Sequence, residues 1–354
     1  MFIFNFFTRY ILVILYDSFI SLIIVLSILF IFRIKNSNIK ILFLFIPLIK
    51  PFIIIIENLI FNQEFFNYRS GTFGFRFPSP NTIIGRIDSA SKNPINYSNV
   101  NSFIILTILL CILIILIFRW CNLYIFYKNL SKGEIASKEE IPEIYKISEK
   151  FSNKLKIKTP NIILTYNTSF SPFVIGFNKH NLVLAPDLIK TLTFKEKETL
   201  IQHELSHIKR KDNLIGWFAL IFKDLLFFNP FAYISYYLIK LEQEKGSDNL
   251  IIRFSNNNGN EIAKNTLNLI LKIKNIKNTK KTSYLPTNNY FFTPFKIINY
   301  KILKNRIKSI LTTNIDKSNI RIFSKILMYF LFIFIMSVQI VLIVKLDNSF
   351  VFLR

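Results

Sequence analysis

Four apolar runs set the first limit on how this chain folds: residues 10–32, 41–61, 103–118 and 326–344. A helix needs about 20 apolar residues to cross a bilayer, and these runs reach or approach that length. The chain therefore reads as a multi-pass α-helical membrane protein rather than a soluble globule. Hydrophobic residues make up 51% of its 354 positions. The first run has no basic lead-in and no small-residue cleavage site, so it is not expected to be a removable signal peptide.

The formal charge is +24, from 45 Lys+Arg against 21 Asp+Glu. In a soluble protein such an excess suggests nucleic acid. Here Lys, Asn, Ile and Phe are abundant throughout, and basic loops beside apolar runs mark the cytoplasmic side of a membrane. No direct nucleic-acid partner is expected. Arg33, Lys35 and Lys40 follow the first run, and a dense basic segment begins at Arg119, so both should be cytoplasmic. The loop 62–102 then faces outward, although its Arg69, Arg76, Arg86 and Lys92 run against the rule. This partition gives three membrane helices over 1–118, a cytoplasmic domain over 119–322, and a fourth helix with a short tail over 323–354. Cys111 and Cys121 are too few for a disulfide framework or a cysteine zinc site.

Within the cytoplasmic segment, "SKEEIPEIYKISEKFSNKL" is helix-forming and "NIILTYN" is strand-like. "SPFVIGFNKHNLVLAP" reads as a hairpin turning at Asn178, Lys179, His180 and Asn181. Thr193 and Glu196 have the spacing of a capping box and open a helix. That helix carries "QHELSHIKRKD". Ile201, Leu205 and Ile208 form its apolar face, while His203 and His207 share another face one turn apart. Two imidazoles at that spacing reach one metal ion. Glu204 projects to where an attacking water would sit and is the expected general base. With 3 His and 13 Glu in the chain, chance would produce this motif in about one such chain in a thousand.

A catalytic zinc needs a third protein ligand. His180, the remaining histidine, sits in the hairpin turn and is a weaker candidate than a downstream carboxylate. "LEQEKGSDN" supplies Glu242, Glu244 and Asp248. Glu244 and Asp248 lie four apart on one face, so one can bind metal while the other orients the ligands; alone, the segment also reads as a solvated charged face. Between the motifs, "NLIGWFALIFKDLLFFNPFAYISYYLIK" is apolar enough for another crossing. A single crossing would separate Glu244 from the histidines, so a helical pair broken at Asn229-Pro230 is expected at the membrane surface, with the metal site just below. Tyr233, Tyr236 and Tyr237 are candidates for stabilising an oxyanion. Asp17, Lys50 and Glu57 are charges inside apolar runs, read as functional or as a structural ion pair, with Lys50 and Glu57 on one helical face.

"QHELSHIKRKDNL", "FNPFAYISYYLIKLEQEKGSD" and "SPFVIGFNKHNLVLAP" together resemble the BlaR/MecR family of membrane zinc metallopeptidases, over most of the chain. The resemblance implies an inserted α+β, gluzincin-like HExxH domain holding one zinc ion. It assigns the metal to His203, His207 and Glu244 and the general base to Glu204, with Asp212 and Asp248 supporting the ligands. "LKNRIKSIL", residues 303–311, resembles the basic helix that precedes the family's last span. In metallopeptidases of this kind, an edge strand beside the zinc helix holds the substrate by main-chain pairing. Phe173, Val174, Ile175, Gly176 and Phe177 are placed there; the alternative is a plain core hairpin.

The β-lactam receptors of that family carry a large extracellular penicillin-binding domain after the fourth span. This chain stops at Arg354, so no direct β-lactam binding is expected. The resemblance implies a cytoplasmic transcriptional repressor as protein substrate, with the chain itself as a further one. "SYLPTNNYFFTPF", residues 283–295, offers a site for self-cleavage and reads equally as an ordinary loop. A homo-oligomer in the lipid bilayer is compatible with the sequence. Competing readings are a quality-control protease of the HtpX type, a transporter using the charged spans, and a silent scaffold.

Overall fold

The computed structural model describes residues 13–60, 98–131, 135–165, 172–254, 259–279, 306–308, 310–311 and 329–333. The outer loop 62–102 except its last residues, the stretch 283–295 and most of the fourth apolar run lie outside them. The elements, in chain order, are α1 (Val13–Ile31), α2 (Ser37–Leu44), α3 (Ile46–Ile60), α4 (Ser98–Ser131), α5 (Pro142–Leu155), β1 (Asn161–Leu164), β2 (Phe173–Ile175) and β3 (Asn181–Leu184). Then follow α6 (Pro186–Thr191), α7 (Phe194–Arg210), α8 (Asp212–Leu225), α9 (Pro230–Phe254) and α10 (Gly259–Thr279).

The first apolar run is one helix, α1. The second is not. It divides at Phe45 into α2 and α3. Pro47 has no N–H to continue the ladder of α2, and the amides of Leu48 and Ile49 bond instead to the Phe45 carbonyl, which starts α3. The third run extends past Phe118 and Arg119 as the 34-residue α4. Among the described residues, two stretches are long and apolar enough to cross a membrane, Ile14–Ile31 and Leu113–Leu130.

The small sheet has the order β1-β3-β2. β1 runs parallel to β3, and β2 pairs antiparallel with it in the register Phe173↔Val183, Ile175↔Asn181. The expected hairpin thus forms, with β2 at the sheet's edge. Leu182 and Leu184 meet Ile201, Leu205 and Ile208 of α7 in the main apolar core. That core fixes which face of α7 is inward and leaves the histidine face toward the cleft. The capping box closes on the start of α7: Thr193 Oγ1 accepts from the Glu196 amide at 3.4 Å, and Glu196 Oε2 from the Thr193 amide at 2.9 Å.

The apolar stretch after α7 is a helical pair, α8 and α9, broken at Asn229 as its Pro230 requires. The pair packs against α1–α3. Its residues Ala219, Leu226, Ala232 and Ile239 share one core with Ile14, Val25, Phe43 and Leu48. The buried Asn229 at its tip donates from Nδ2 to Ser18 Oγ at 2.7 Å, and Phe231 stacks on Phe19 at 5.0 Å. The physical reason is the pair's apolar exterior, which needs a partner, and α1–α3 supply one. Lys50, buried, pairs with Asp17 across α1 and α3. The side chain of Glu57 lies outside the described residues.

Candidate metal centre

The site is built by two helices, α7 and α9, that lie face to face. α7 ends at Lys211 in the left-handed region (φ 57°), which turns the chain straight into α8 at Asp212. α9 then packs along α7 and presents Glu244, Ser247 and Asp248 to it. Gln243 pins the turn, donating from Nε2 to the Asp212 carbonyl at 2.8 Å. Gly246 matters for closeness: a Cβ there would stand 2.2 Å from the Arg210 guanidinium carbon, so only glycine leaves Arg210 its place between the helices.

His203 and His207 bring their Nε2 atoms to 3.2 Å from each other. Glu244 faces both, with Oε2 3.4 Å from His203 Nε2 and Oε1 3.7 Å from His207 Nε2. One ligand atom from each of the three lies within 4.8 Å of the others. Each histidine is held from behind. His207 Nδ1 stands 2.8 Å from Asp212 Oδ2 and 3.0 Å from Ser247 Oγ. His203 Nδ1 stands 3.3 Å from Asp248 Oδ1. An Nδ1–H donated to a carboxylate fixes the tautomer that leaves Nε2 free for metal. The residues present therefore fit a divalent ion, and two imidazoles with one carboxylate suit zinc.

Both aspartates are in turn paired with arginine. Arg210 Nε donates to Asp212 Oδ2 at 3.0 Å. Arg306 donates from Nε and Nη2 to the two oxygens of Asp248, each at 2.9 Å, and its Nη1 lies 2.7 Å from Glu244 Oε2. Arg306 is the residue that sequence reasoning missed. It lies 58 positions beyond Asp248, inside a stretch legible only as basic.

The electrostatics follow from burial and these pairs. Burial pushes Glu204 above the ordinary carboxylate range, against the pull of His207, His203 and Arg306. Burial also opposes the charges of Glu244 and Asp248, but Arg306 and His203 outweigh it and hold both carboxyls below their usual values. For His203, burial disfavours the cation, yet its bonds to Asp248 and Glu244 raise it to about 10.

The four residues His203, Glu204, His207 and Glu244 line a cleft of about 930 Å³. Phe173, Val174, Gly176 and Phe177 form one wall, and Leu269, Ile270 and Ile273 of α10 form another. Of the five residues expected to hold substrate, three are in β2. Gly176 leaves the strand at φ +96°, where a Cβ would collide with the Lys179 carbonyl, and its own carbonyl accepts from Asn213 Nδ2 at 3.0 Å. Phe177 is exposed. His180 lines the cleft with a buried Nδ1 that has no hydrogen-bond partner, and it stands outside the ligand group. Tyr233, Tyr236 and Tyr237 are not among the cleft residues; the first two stack on Lys223. Glu242 turns away to Lys40 of α2 and to Lys245.

The site thus sets a buried glutamate beside paired histidines in a cleft walled by an edge strand. The chain belongs to the BlaR1 peptidase M56 family, whose profile matches residues 18–291. It is 29% identical over 164 residues to the methicillin resistance mecR1 protein of Staphylococcus aureus (strain Mu50), covering 45% of this chain and 28% of that protein. A protease HtpX homolog of Thermococcus sibiricus is 35% identical over 92 residues, 25% of this chain and 32% of the relative. The regulatory protein BlaR1 of Bacillus licheniformis is 26% identical over 180 residues, 50% and 29% respectively. In each, the match spans less than a third of the relative's length.

Proposed function

We propose that this chain is a membrane-embedded zinc metalloendopeptidase that transmits a signal by cutting a cytoplasmic transcriptional repressor. The convergence of His203, His207 and Glu244 on one point, with Glu204 beside it in the cleft, carries the reading. Held by His203, His207 and Glu244, a zinc ion would supply Lewis acidity. Glu204, whose carboxyl burial raises, would take the water's proton and return it to the leaving amine. β2 aligns the substrate in extended form along its outer edge, while Asp212 and Asp248 keep both imidazoles in register.

Membrane embedding is supported by α1, by α4, and by the seating of the α8–α9 hairpin alongside α1 as far as Ser18. On this reading the hairpin enters the bilayer from the cytoplasmic side and returns, delivering Glu244 to the same side as the histidines. The match to proteins named mecR1 and BlaR1 favours a regulatory substrate. The match to HtpX homologs favours broad quality control as the second reading.

Newly formed protein N-termini, compared between cells expressing wild type and Glu204→Ala, decide between them. One Glu204-dependent terminus within a repressor supports signalling. Many such termini in membrane proteins support quality control. Identical profiles under every stress applied would remove peptidase activity from the account.

A further inference from the structure

Each candidate zinc ligand histidine leans on an aspartate, and each aspartate on an arginine. His207, Asp212 and Arg210 form one chain within α7 and α8, all supplied by six consecutive positions. His203 and Asp248 start the other, and its arginine comes from far away in sequence. We propose that Arg306 is a positioning residue of the metal site, so that the site is incomplete until the segment 306–311 is docked. This inference rests on the metallopeptidase reading.

The geometry is that of a built contact. Arg306 uses three nitrogens on two carboxylates: a two-pronged grip on Asp248 and a single bond to Glu244 Oε2. Forked guanidinium–carboxylate pairs fix direction as well as charge. Holding Oε2 leaves Glu244 Oε1 as the oxygen free to serve a metal. Charge bookkeeping gives the same result. Arg306 places one positive charge between the two carboxylates of Glu244 and Asp248. Without Arg306, Asp248 and Glu244 stand as like charges on one helix face.

The segment is anchored beside the arginine by its own apolar side chains. Ile310 is 1% exposed and packs with Ile251, Ile252, Ile262 and Ala263 of α9 and α10, with Ile307 against the same cluster. Arg306 therefore reaches the site from a short helical piece seated in an apolar slot.

The test uses the full-length protein in detergent, with zinc affinity read by chelator competition and site geometry by the visible spectrum of the cobalt(II)-substituted form. Arg306→Ala should weaken zinc binding about 10–100-fold and shift the cobalt spectrum. Millimolar methylguanidinium should restore both, which a general loss of fold would not allow. Ile310→Asp, which leaves the guanidinium intact but unseats its anchor, should weaken binding in the same direction. Wild-type affinity and an unchanged cobalt spectrum in Arg306→Ala would overturn the proposal. Should that variant fail to fold, Arg306→Lys decides, because it keeps the charge and loses the fork: reduced affinity supports the proposal and wild-type affinity overturns it. A wild-type chain that binds no zinc and shows no Glu204-dependent cleavage would instead refute the metallopeptidase reading itself.

Discussion

Asp212 and His207 lie five positions apart, one on each side of the turn between α7 and α8, and meet at 2.8 Å. The turn itself thus sets which imidazole nitrogen faces the cleft. Arg210 reaches Asp212 only because Gly246 carries no side chain. Gly246→Ala should displace the guanidinium, since a flexible side chain yields more readily than two helix backbones. Stability should fall by about 1–2 kcal/mol, and zinc affinity should fall with it. Thermal unfolding and chelator competition on the same preparation check both parts; unchanged affinity would show that Arg210 does not act through Asp212.

Zinc binding should displace a proton. His203 in the metal-free site is raised to about 10 by Asp248 and Glu244 acting against burial, so near neutral pH it is a cation. Metal needs the neutral ring. The protonated form stabilises the metal-free fold below the ordinary histidine value, and that contribution fades as pH rises through about 10. Zinc affinity should therefore increase close to tenfold per pH unit between 7 and 9. Calorimetry in buffers of different ionisation enthalpy should count about one proton released per zinc. A flat affinity across that range would contradict the assignment of the Asp248 and Glu244 contacts.

The α8–α9 tip should be a stability hot point. Asn229 spends its amide on Ser18 and its carbonyl oxygen on the Phe231 amide at 3.0 Å, capping α9. Asn229→Ala loses both bonds and should cost about 2–3 kcal/mol. Ser18→Ala removes one and should cost about 1 kcal/mol. Equal melting temperatures for the two variants would show that the cap contributes nothing.

Acid should loosen the start of α7. Burial raises the Glu196 carboxyl, but hydrogen bonds from Lys272 and Thr193 outweigh it and leave it below its ordinary value. The sign follows: this carboxylate stabilises the fold above its unfolded value of about 4.3, and the contribution disappears as pH falls through the lowered folded value. Lys272 is a third exposed, so screening limits Lys272→Ala to about 1 kcal/mol at neutral pH. Unfolding midpoints of wild type and Lys272→Ala should converge below pH 4.

Much of this was legible because its signals are local. The capping box, the His203/His207 spacing, the hairpin and the break at Pro230 each lie within a few residues. A downstream carboxylate was legible from the spacing of Glu244 and Asp248, and the family resemblance chose Glu244 between them. What escaped depends on distance. Arg306 is one of 45 Lys+Arg and only its docking against α9 distinguishes it. Lys50 shares a helical face with Glu57, but its partner is Asp17 on α1, since facing helices meet in ways periodicity does not encode. The division at Phe45 was encoded by Pro47, yet the apolar content of that run overshadowed it. The seating of the hairpin against α1–α3 rests on long-range packing of Ala219, Ala232 and Ile239.

The central claim is that His203, His207 and Glu244 hold one zinc ion for which Glu204 is the base. Its most direct test measures zinc content and peptide cleavage together on purified full-length wild type, Glu204→Gln and His203→Ala. One zinc per chain is expected in wild type and in Glu204→Gln, cleavage only in wild type, and neither zinc nor cleavage in His203→Ala. Cleavage by Glu204→Gln at the wild-type rate, or a full zinc complement in His203→Ala, would contradict it.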